Sequence, residues 1–338
     1  MKNFIAIHKS ESGFHPLWVA YCQKNDIPFK LVDCHSNNLI ADLKDCKALL
    51  WHHHQGSPKD LNIAKPILFA LEQAGINVFP DFNTNWHFDD KVGQKYLLEA
   101  IGAPLVPSYV FVEEQKALLW IKKTTFPKVF KLRGGAGSAN VRLVHSAHEA
   151  KNLIKKAFGR GFSNYDKWGS IKERYRKWRL GKSSFFDLLK GFVRLAYAPP
   201  FTKVLGREVG YVYFQDFIPD NDHDIRVIVI GDKAFAIKRM VRENDFRASG
   251  SGFIRYEKEN FKDEWVQLAF DINEKIQSQS LALDYVFENG NPKVVEISYG
   301  FVKEGYDPCV GYWDSNLNWH EGKFDPYGWM VEEVLKEV

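Results

Sequence analysis

The sequence predicts an α/β N-terminal domain on a small parallel sheet, followed by an α+β region dominated by antiparallel strands. Three observations carry this expectation. Residues 1 to 80 alternate short apolar runs with helical stretches, an order that implies parallel strands joined by crossover helices. Residues 208 to 300 are rich in strand-like runs separated by turn signals, as successive hairpins require. Residues 151 to 207 lie between and differ sharply in charge. A chain of 338 residues with 45% hydrophobic content has room for two or three domains, each with a core. The expected divisions are 1–82 for the sheet domain, 83–210 for a second part with a basic insertion at about 159–207, and 211–338 for a third.

Phe4-Ile-Ala-Ile-His8, Phe29-Lys-Leu-Val-Asp33, Ala48-Leu-Leu-Trp51 and Asn77-Val-Phe79 read as buried strands, with helices around 15 to 25 and 59 to 75. Trp51-His-His-His-Gln-Gly56 follows the third of these strands, where sheets of this kind bind ligands. Adjacent histidines in an extended chain point to alternating faces and cannot all reach one ion. A ligand-edge or structural role is therefore favoured over zinc. Cys22, Cys34, Cys46 and Cys309 form no C-x-x-C pair, so reduced, mostly buried thiols are expected.

Asp89-Asp-Lys-Val-Gly-Gln-Lys-Tyr-Leu-Leu-Glu-Ala-Ile-Gly-Ala-Pro104 has an aspartate cap, helical spacing of apolar residues and Gly102 as the stop. A strand at Ser108–Val112 and a helix near 114 to 122 lead to Val129-Phe-Lys-Leu-Arg-Gly-Gly-Ala-Gly-Ser-Ala-Asn-Val141. This glycine run is neither a Walker loop nor a dinucleotide fingerprint, because the lysine precedes the glycines and the spacings differ. Strand-like runs flank it, so it reads either as a flap whose backbone N–H groups close over an anion or as a glycine-rich turn without a ligand. A helix at 146 to 157 follows.

Residues 151 to 207 carry fifteen Lys or Arg against three acids, 15 − 3 = +12. With a chain total of +4, the remainder is 4 − 12 = −8. Such a segment is either a solvated basic helix or an attractor for a polyanion, a phosphorylated substrate or an anionic membrane. Its part Ser184–Tyr197 repeats apolar residues at i, i+3 and i+4. That face is expected to pack on its own protein, with peripheral membrane contact through 171–198 as the less favoured alternative. No nucleic-acid partner is expected.

Tyr211–Ile218, Asp224–Ile230 and Ala234–Arg239 read as antiparallel strands with a turn at Gly231-Asp232. A helix at 262 to 279 precedes strands Leu283–Phe287 and Lys293–Ile297. Asp284 and Glu296 thus fall on paired strands. Facing carboxylates repel unless neutralised, and a hard divalent cation is one solution; two solvated acids are the other. The tail from Phe301 concentrates aromatics beside acids and amides, in Gly311–Asp314 and Asn318–Gly322. It suits either a sugar- or amine-binding surface or an aromatic cap on the core.

Taken in order, Asp90-Lys91, Pro127–Lys131 before the glycine flap, Gln215–Ile218 with Asp224-Ile-Arg226, Lys238-Arg239 with Glu243–Arg247, Asp284 and Val294-Val-Glu-Ile-Ser298 resemble the ATP-grasp superfamily. The branch most similar is that of the carboxylate-amine ligases that includes the ribosomal-protein glutamate ligases. The resemblance spans about residues 80 to 300 and implies a two-subdomain ATP-grasp fold behind a pre-grasp sheet domain.

It also implies roles. Lys131 and Lys91 would contact ATP phosphates under a flap containing Gly134, Gly135, Gly137 and Ser138. A lysine is a point-charge donor, and glycine lets backbone approach phosphate closely. Gln215, Asp216, Phe217 and Ile218 would form the adenine hinge, Asp224 would face the ribose, and Lys238 would join the nucleotide contacts. Arg239 and Arg247 would stand near the transferred phosphoryl group. Asp284, Glu296 and Ser298 would hold Mg²⁺, or Mn²⁺ in its place. The family's run commonly reads E-x-N, whereas this chain has Glu296-Ile-Ser298, and serine also follows Arg247-Ala where that branch often has asparagine.

The implied activity is ATP-dependent amide formation between a carboxylate and an amine through an acyl-phosphate, releasing ADP and phosphate. An anionic acceptor such as a uronic-acid-containing glycan or another cell-envelope precursor suits the basic insertion; an amino-acid or peptide acceptor is the alternative. A kinase of a polyanionic small molecule and a non-catalytic ATP-binding protein are the rivals. No run approaches ~20 apolar residues and the charged N-terminus does not suit a signal peptide, so a cytoplasmic protein is expected.

Overall fold

The computed structural model describes residues 4–10, 13–135, 140–165, 171, 174–175, 178–179, 184–197, 199–242, 246–248 and 250–336. They fall into two compact units, one of residues 1–105 with 218–338 and one of residues 106–217.

In the larger unit, β1 (Phe4–His8), β2 (Phe29–Val32), β3 (Cys46–Leu50) and β4 (Asn77–Phe79) form a parallel sheet in the order β2-β1-β3-β4. Helices His15–Lys24 and Pro58–Gln73 make crossovers. The second starts where the Ser57 hydroxyl accepts the Asp60 N–H and Pro58 occupies its first turn, a position where a missing N–H costs nothing. All four cysteines are free and buried.

In the smaller unit, β5 (Ser108–Phe111), β6 (Lys128–Lys131), β7 (Arg142–Val144) and β10 (Val212–Asp216) form an antiparallel sheet in the order β5-β10-β6-β7. One face packs Phe130, Val212 and Phe214 against Ala117, Ile121, Ala150 and Ile154 from helices Glu114–Trp120 and Ala147–Phe158 and the turn after the first. The basic insertion leaves and returns through a short antiparallel pair, β8 (Phe162–Ser163) and β9 (Arg207–Glu208).

The larger unit continues with a sheet ordered β15-β14-β11-β12-β16-β17. Its strands are β11 (His223–Ile230), β12 (Lys233–Met240), β13 (Ile254–Arg255, paired only with β12), β14 (Ser280–Glu288), β15 (Asn291–Ser298), β16 (Gly311–Asp314) and β17 (Trp319–Glu321). Asn289 and Gly290, both at positive φ, turn β14 into β15, as a tight two-residue hairpin requires. Pro292 is tolerated because β15 is the outer strand of the ladder.

Residues alternate across this sheet. Ile225, Val227, Val229, Ala234, Ala236, Leu281, Leu283 and Tyr285 face helix Asp263–Ile276, which buries Val266, Ala269, Ile272 and Ile276 against them. At about 1.5–3 kcal/mol per fully buried large apolar side chain, this layer fixes the register. Ile228, Ile230, Phe235, Ile237 and Ala282 face the other way and share a core with Ile5, Ile7, Trp18 and Phe79 of the N-terminal sheet domain. The aromatic tail extends the sheet: Trp313 is buried, Tyr312 stacks on His320, and helix Pro326–Leu335 packs near Tyr21. Trp313, Tyr327 and Trp329 of the tail are buried, as an aromatic cap on the core requires. No helix among the described residues is long and apolar enough to cross a membrane.

Candidate functional site

The alternation that builds the core also collects charge. Asp224 and Arg226 lie two apart on β11, on the face that carries Ile228 and Ile230. Register places Arg239 opposite Asp224, Asp284 opposite Arg226, and Glu296 opposite Asp284. Two neighbouring transverse rows result, Arg239–Asp224 across β12 and β11 and Arg226–Asp284–Glu296 across β11, β14 and β15, on one face of the sheet.

Its contacts are specific. Arg239 donates Nε–H and Nη2–H to the two carboxylate oxygens of Asp224, at 2.7 and 2.8 Å, and its Nη2 lies 3.0 Å from Asp284 Oδ1. Arg226 reaches the other Asp284 oxygen at 3.3 Å and donates to the Gly300 carbonyl at 3.1 Å. Lys91, buried at the start of helix Lys91–Ala100, lies 3.0 Å from Glu296 Oε1. Asp90 caps that helix by accepting the Gly93 N–H at 2.9 Å, which fixes where Lys91 begins its first turn. Three acids and three bases sum to −3 + 3 = 0.

Burial opposes charge on Arg239, Arg226, Lys91 and Asp224, and for the three cations the pairing more than answers it. Burial disfavours the Arg239 cation, yet Asp284 and then Asp224 hold it well above its usual range. Arg226 is likewise raised against burial by Asp284, and Lys91 against burial by Glu296. Burial pushes Asp224 up, with Arg239 pulling the other way. A bidentate arginine–carboxylate fork is the geometry that best compensates such desolvation.

Sequence expectations map onto this site unevenly. Arg239, Asp224, Asp284, Glu296 and Lys91 are brought together. Asp224, expected at the ribose, is engaged by Arg239, and Lys91, expected at phosphate, by Glu296. Lys238 sits opposite Ile225, on the sheet face away from Arg239. The Ser298 hydroxyl turns back to the Gly300 backbone N–H at 3.3 Å. Arg247 is half-buried beside the Phe246 ring. Arg226 was quoted in the motif Asp224-Ile-Arg226 but given no role of its own, although the i, i+2 spacing of Asp224 and Arg226 already put them on one face.

In the smaller unit, Lys131 is buried and donates to Gln215 Oε1 at 2.6 Å; Gln215 in turn donates to Ser108 Oγ at 3.0 Å. These groups lie on the sheet face opposite the Phe130–Phe214 core. Lys128, within the quoted run Pro127–Lys131 but likewise given no role, is buried and pairs with Asp216 at 2.5 Å. The Asp216 backbone N–H is taken by the Pro107 carbonyl at 2.8 Å. Phe217 and Ile218 are the last residue of the smaller unit and the first of the returning larger one. Of the flap, Gly134 and Gly135 are described, the latter at φ +115°, while Gly137 and Ser138 lie outside the described residues.

The histidine run has structural partners. His53 Nε2 is 2.7 Å from Asn85 Oδ1, its carbonyl accepts the Tyr299 hydroxyl, and His52 stacks on Phe14 with Nδ1 accepting the Phe14 N–H. Among the described residues, His8, His35 and Asp60 bring possible ligand atoms within 4.8 Å of one another. Those groups already bond within the protein: His35 Nε2 is 2.7 Å from Asp60 Oδ1, and His8 Nδ1 accepts the Cys34 N–H at 3.0 Å.

The architecture defines a class. Solved structures with the same fold include an ATP-grasp RimK domain protein from Sphaerobacter thermophilus (15% identity, TM-score 0.56, covering 98% of this chain and 100% of that one). D-alanine–D-alanine ligase from Bacillus anthracis matches at 14% identity and TM-score 0.55, over 98% of this chain and 96% of that one. N5-carboxyaminoimidazole synthetase from Staphylococcus aureus matches at 12% identity and TM-score 0.55, over 98% and 77%. The chain has the ATP-grasp fold. More particularly, residues 203–307 match the RimK-like ATP-grasp domain. No curated protein sequence matches the chain.

Proposed function

We propose that the protein is an ATP-dependent carboxylate–amine ligase. The observation that carries this is the pair of adjacent cross-strand rows Arg239–Asp224 and Arg226–Asp284–Glu296, which sets two hard oxygen donors beside fixed cations. The donors suit Mg²⁺: Asp284 and Glu296 are cross-strand neighbours, and their present partners are side-chain cations that a divalent ion can replace. Bound there, the ion would neutralise charge on the nucleotide's phosphates.

The remaining roles fall to the chain's own residues. Lys131 holds a phosphate as a point charge, and the flap beginning at Gly134 and Gly135 excludes water. Gln215 to Ile218 receive the adenine. A substrate carboxylate oxygen attacks the γ-phosphorus, the bond to the β-phosphate oxygen breaks, and ADP leaves. An amine then attacks the acyl-phosphate carbon, phosphate departs, and the amine proton passes to solvent. Arg239 stabilises the charge that builds on the phosphoryl oxygens in both steps. For the acceptor, the +12 segment at 151–207 favours an anionic compound, a uronic-acid-containing glycan or other cell-envelope precursor, over an amino acid or peptide.

The same segment favours one rival, a kinase of a polyanionic alcohol. Incubating the protein with ATP, Mg²⁺ and pools of ¹⁸O-carboxylate acids and amines separates the two. A ligase moves one ¹⁸O from acid to inorganic phosphate with each amide formed; a kinase yields a phosphate ester and moves none. Asp284→Asn with Glu296→Gln should abolish turnover, and full activity in that variant would overturn the metal assignment.

A further inference from the structure

Helix Phe185–Ala196, within the basic insertion, does not bury its whole apolar surface. It follows the Ser184 cap, whose hydroxyl accepts the Asp187 N–H. Gly191 is buried beside Ile171 and Arg174, and Arg174 donates to the Asp187 carbonyl at 2.9 Å. That is the packed side. About 140–160° away round the helix, Phe186, Leu189 and Val193 are 73, 43 and 60% exposed, and Tyr197 at its end is 77% exposed. The expectation that this face packs on its own protein fails for these four residues. Lys190, whose side chain is 70% exposed, borders the ridge. Tyr175 and Trp178, on the neighbouring helical stretch, are exposed at 48 and 39%.

We propose that this ridge is a docking surface for an anionic lipid bilayer. Aliphatic and aromatic tips beside lysine, on a segment with fifteen cations and three acids, match the layered chemistry of a membrane interface, where apolar side chains enter the acyl boundary and cations meet headgroup phosphates. Aromatic residues with a polar edge suit the headgroup depth. A soluble polyanion would use the cations and leave the apolar ridge without a partner. A second copy would bring +12 against +12, and a ridge of four side chains falls well short of the roughly 1,200 Å² that a stable interface buries. Such docking is independent of the ligase reading; for a ligase it would place the protein where membrane-bound acceptors are found.

The test is co-sedimentation of the full chain with sucrose-loaded vesicles, of phosphatidylcholine alone or with about one-third phosphatidylglycerol. The protein should pellet with the anionic vesicles and stay in solution with the neutral ones, less so as salt rises. Phe186→Ser with Val193→Ser, and separately Lys190→Glu, should each weaken partition by about tenfold, with an unchanged circular dichroism spectrum because these side chains are exposed. No pelleting with anionic vesicles would overturn the proposal. So would binding that the serine pair leaves intact, which charge alone explains. Concentration-dependent self-association that the serine pair abolishes, seen by sedimentation velocity, would assign the ridge to a second copy instead.

Discussion

Replacing Arg239 with methionine removes the cation that spans Asp224 and Asp284 while filling much of the same volume. Arg239 is 7% exposed and makes two forked hydrogen bonds to Asp224 plus the contact to Asp284. Its loss changes the cluster from −3 + 3 = 0 to −3 + 2 = −1 and leaves Asp224 buried without its fork. Breaking one partner of such a buried pair costs about 3–5 kcal/mol. The deficit should depend on pH with a definite sign. Burial already raises the Asp224 carboxyl in the native protein, and losing Arg239 raises it further. A carboxyl whose folded pKa exceeds its unfolded one binds more protons when folded, so its contribution falls as pH rises between the two values. Urea midpoints should therefore show a small loss at about pH 4 and the full loss at about pH 8. Asp224→Asn in the same chain should restore a large part of the stability by removing the orphaned charge, while Arg239→Lys, which keeps charge but not the fork, should fall between. A loss below about 0.5 kcal/mol in Arg239→Met, or no recovery with Asp224→Asn, would refute the account of the cluster as mutually compensated.

Lys131→Met should weaken ATP binding by about tenfold, as loss of a phosphate-directed cation predicts, and should lower stability by about 1–3 kcal/mol because the buried Gln215 Oε1 loses this donor; calorimetric titration with ATP below the unfolding transition checks the first, and unchanged affinity would remove Lys131 from the proposed nucleotide site. His53 and His87 are buried and held down to about 4 by burial. A histidine depressed when folded stabilises fully above its unfolded value near 6.5 and loses that contribution as pH falls toward 4, so these two alone should lower the unfolding free energy by up to about 2.7 kcal/mol per pH unit across that window. A flat profile there would refute it, as would imidazole resonances that titrate near 6.5. At Gly311 an added Cβ would meet the His320 carbonyl at 2.4 Å and the Trp319 ring at 2.5 Å, so Gly311→Ala should cost about 1–3 kcal/mol; a neutral result would mean the β16–β17 hairpin yields freely.

The strands were legible because period-2 alternation is local: Asp224–Ile230 and Ala234–Arg239 in the sequence became His223–Ile230 and Lys233–Met240 in the structure. So was the cap on helix Lys91–Ala100, where Asp90 needs only its own next turn. Register across strands was not legible, and it decides the site. Lys238 and Arg239 are adjacent in sequence, yet one sits opposite Ile225 and the other opposite Asp224, so only one of them joins the acids. The Lys91–Glu296 contact joins residues far apart in the chain, beyond any local pattern. The tail gave aromatic composition without direction, and only the pairing of β16 with β12 shows that Trp313 belongs to the core.

The neutrality of the cluster explains how three carboxylates are tolerated on one face of the sheet. Without compensation, Asp224, Asp284 and Glu296 on one sheet face would repel and destabilise the sheet. Arg239, Arg226 and Lys91 remove that penalty within the protein itself. For a ligase the arrangement has a further use. Under the proposed reading, Asp284 and Glu296 would hold a divalent ion, and Lys91 and the arginines that now pair with them would be left to face phosphoryl oxygens. Charge would then be exchanged between fixed partners rather than created, which keeps reorganisation small during transfer. Asp224 is the member that should not exchange: its two oxygens are both committed to Arg239, and it thereby holds the guanidinium in a fixed orientation.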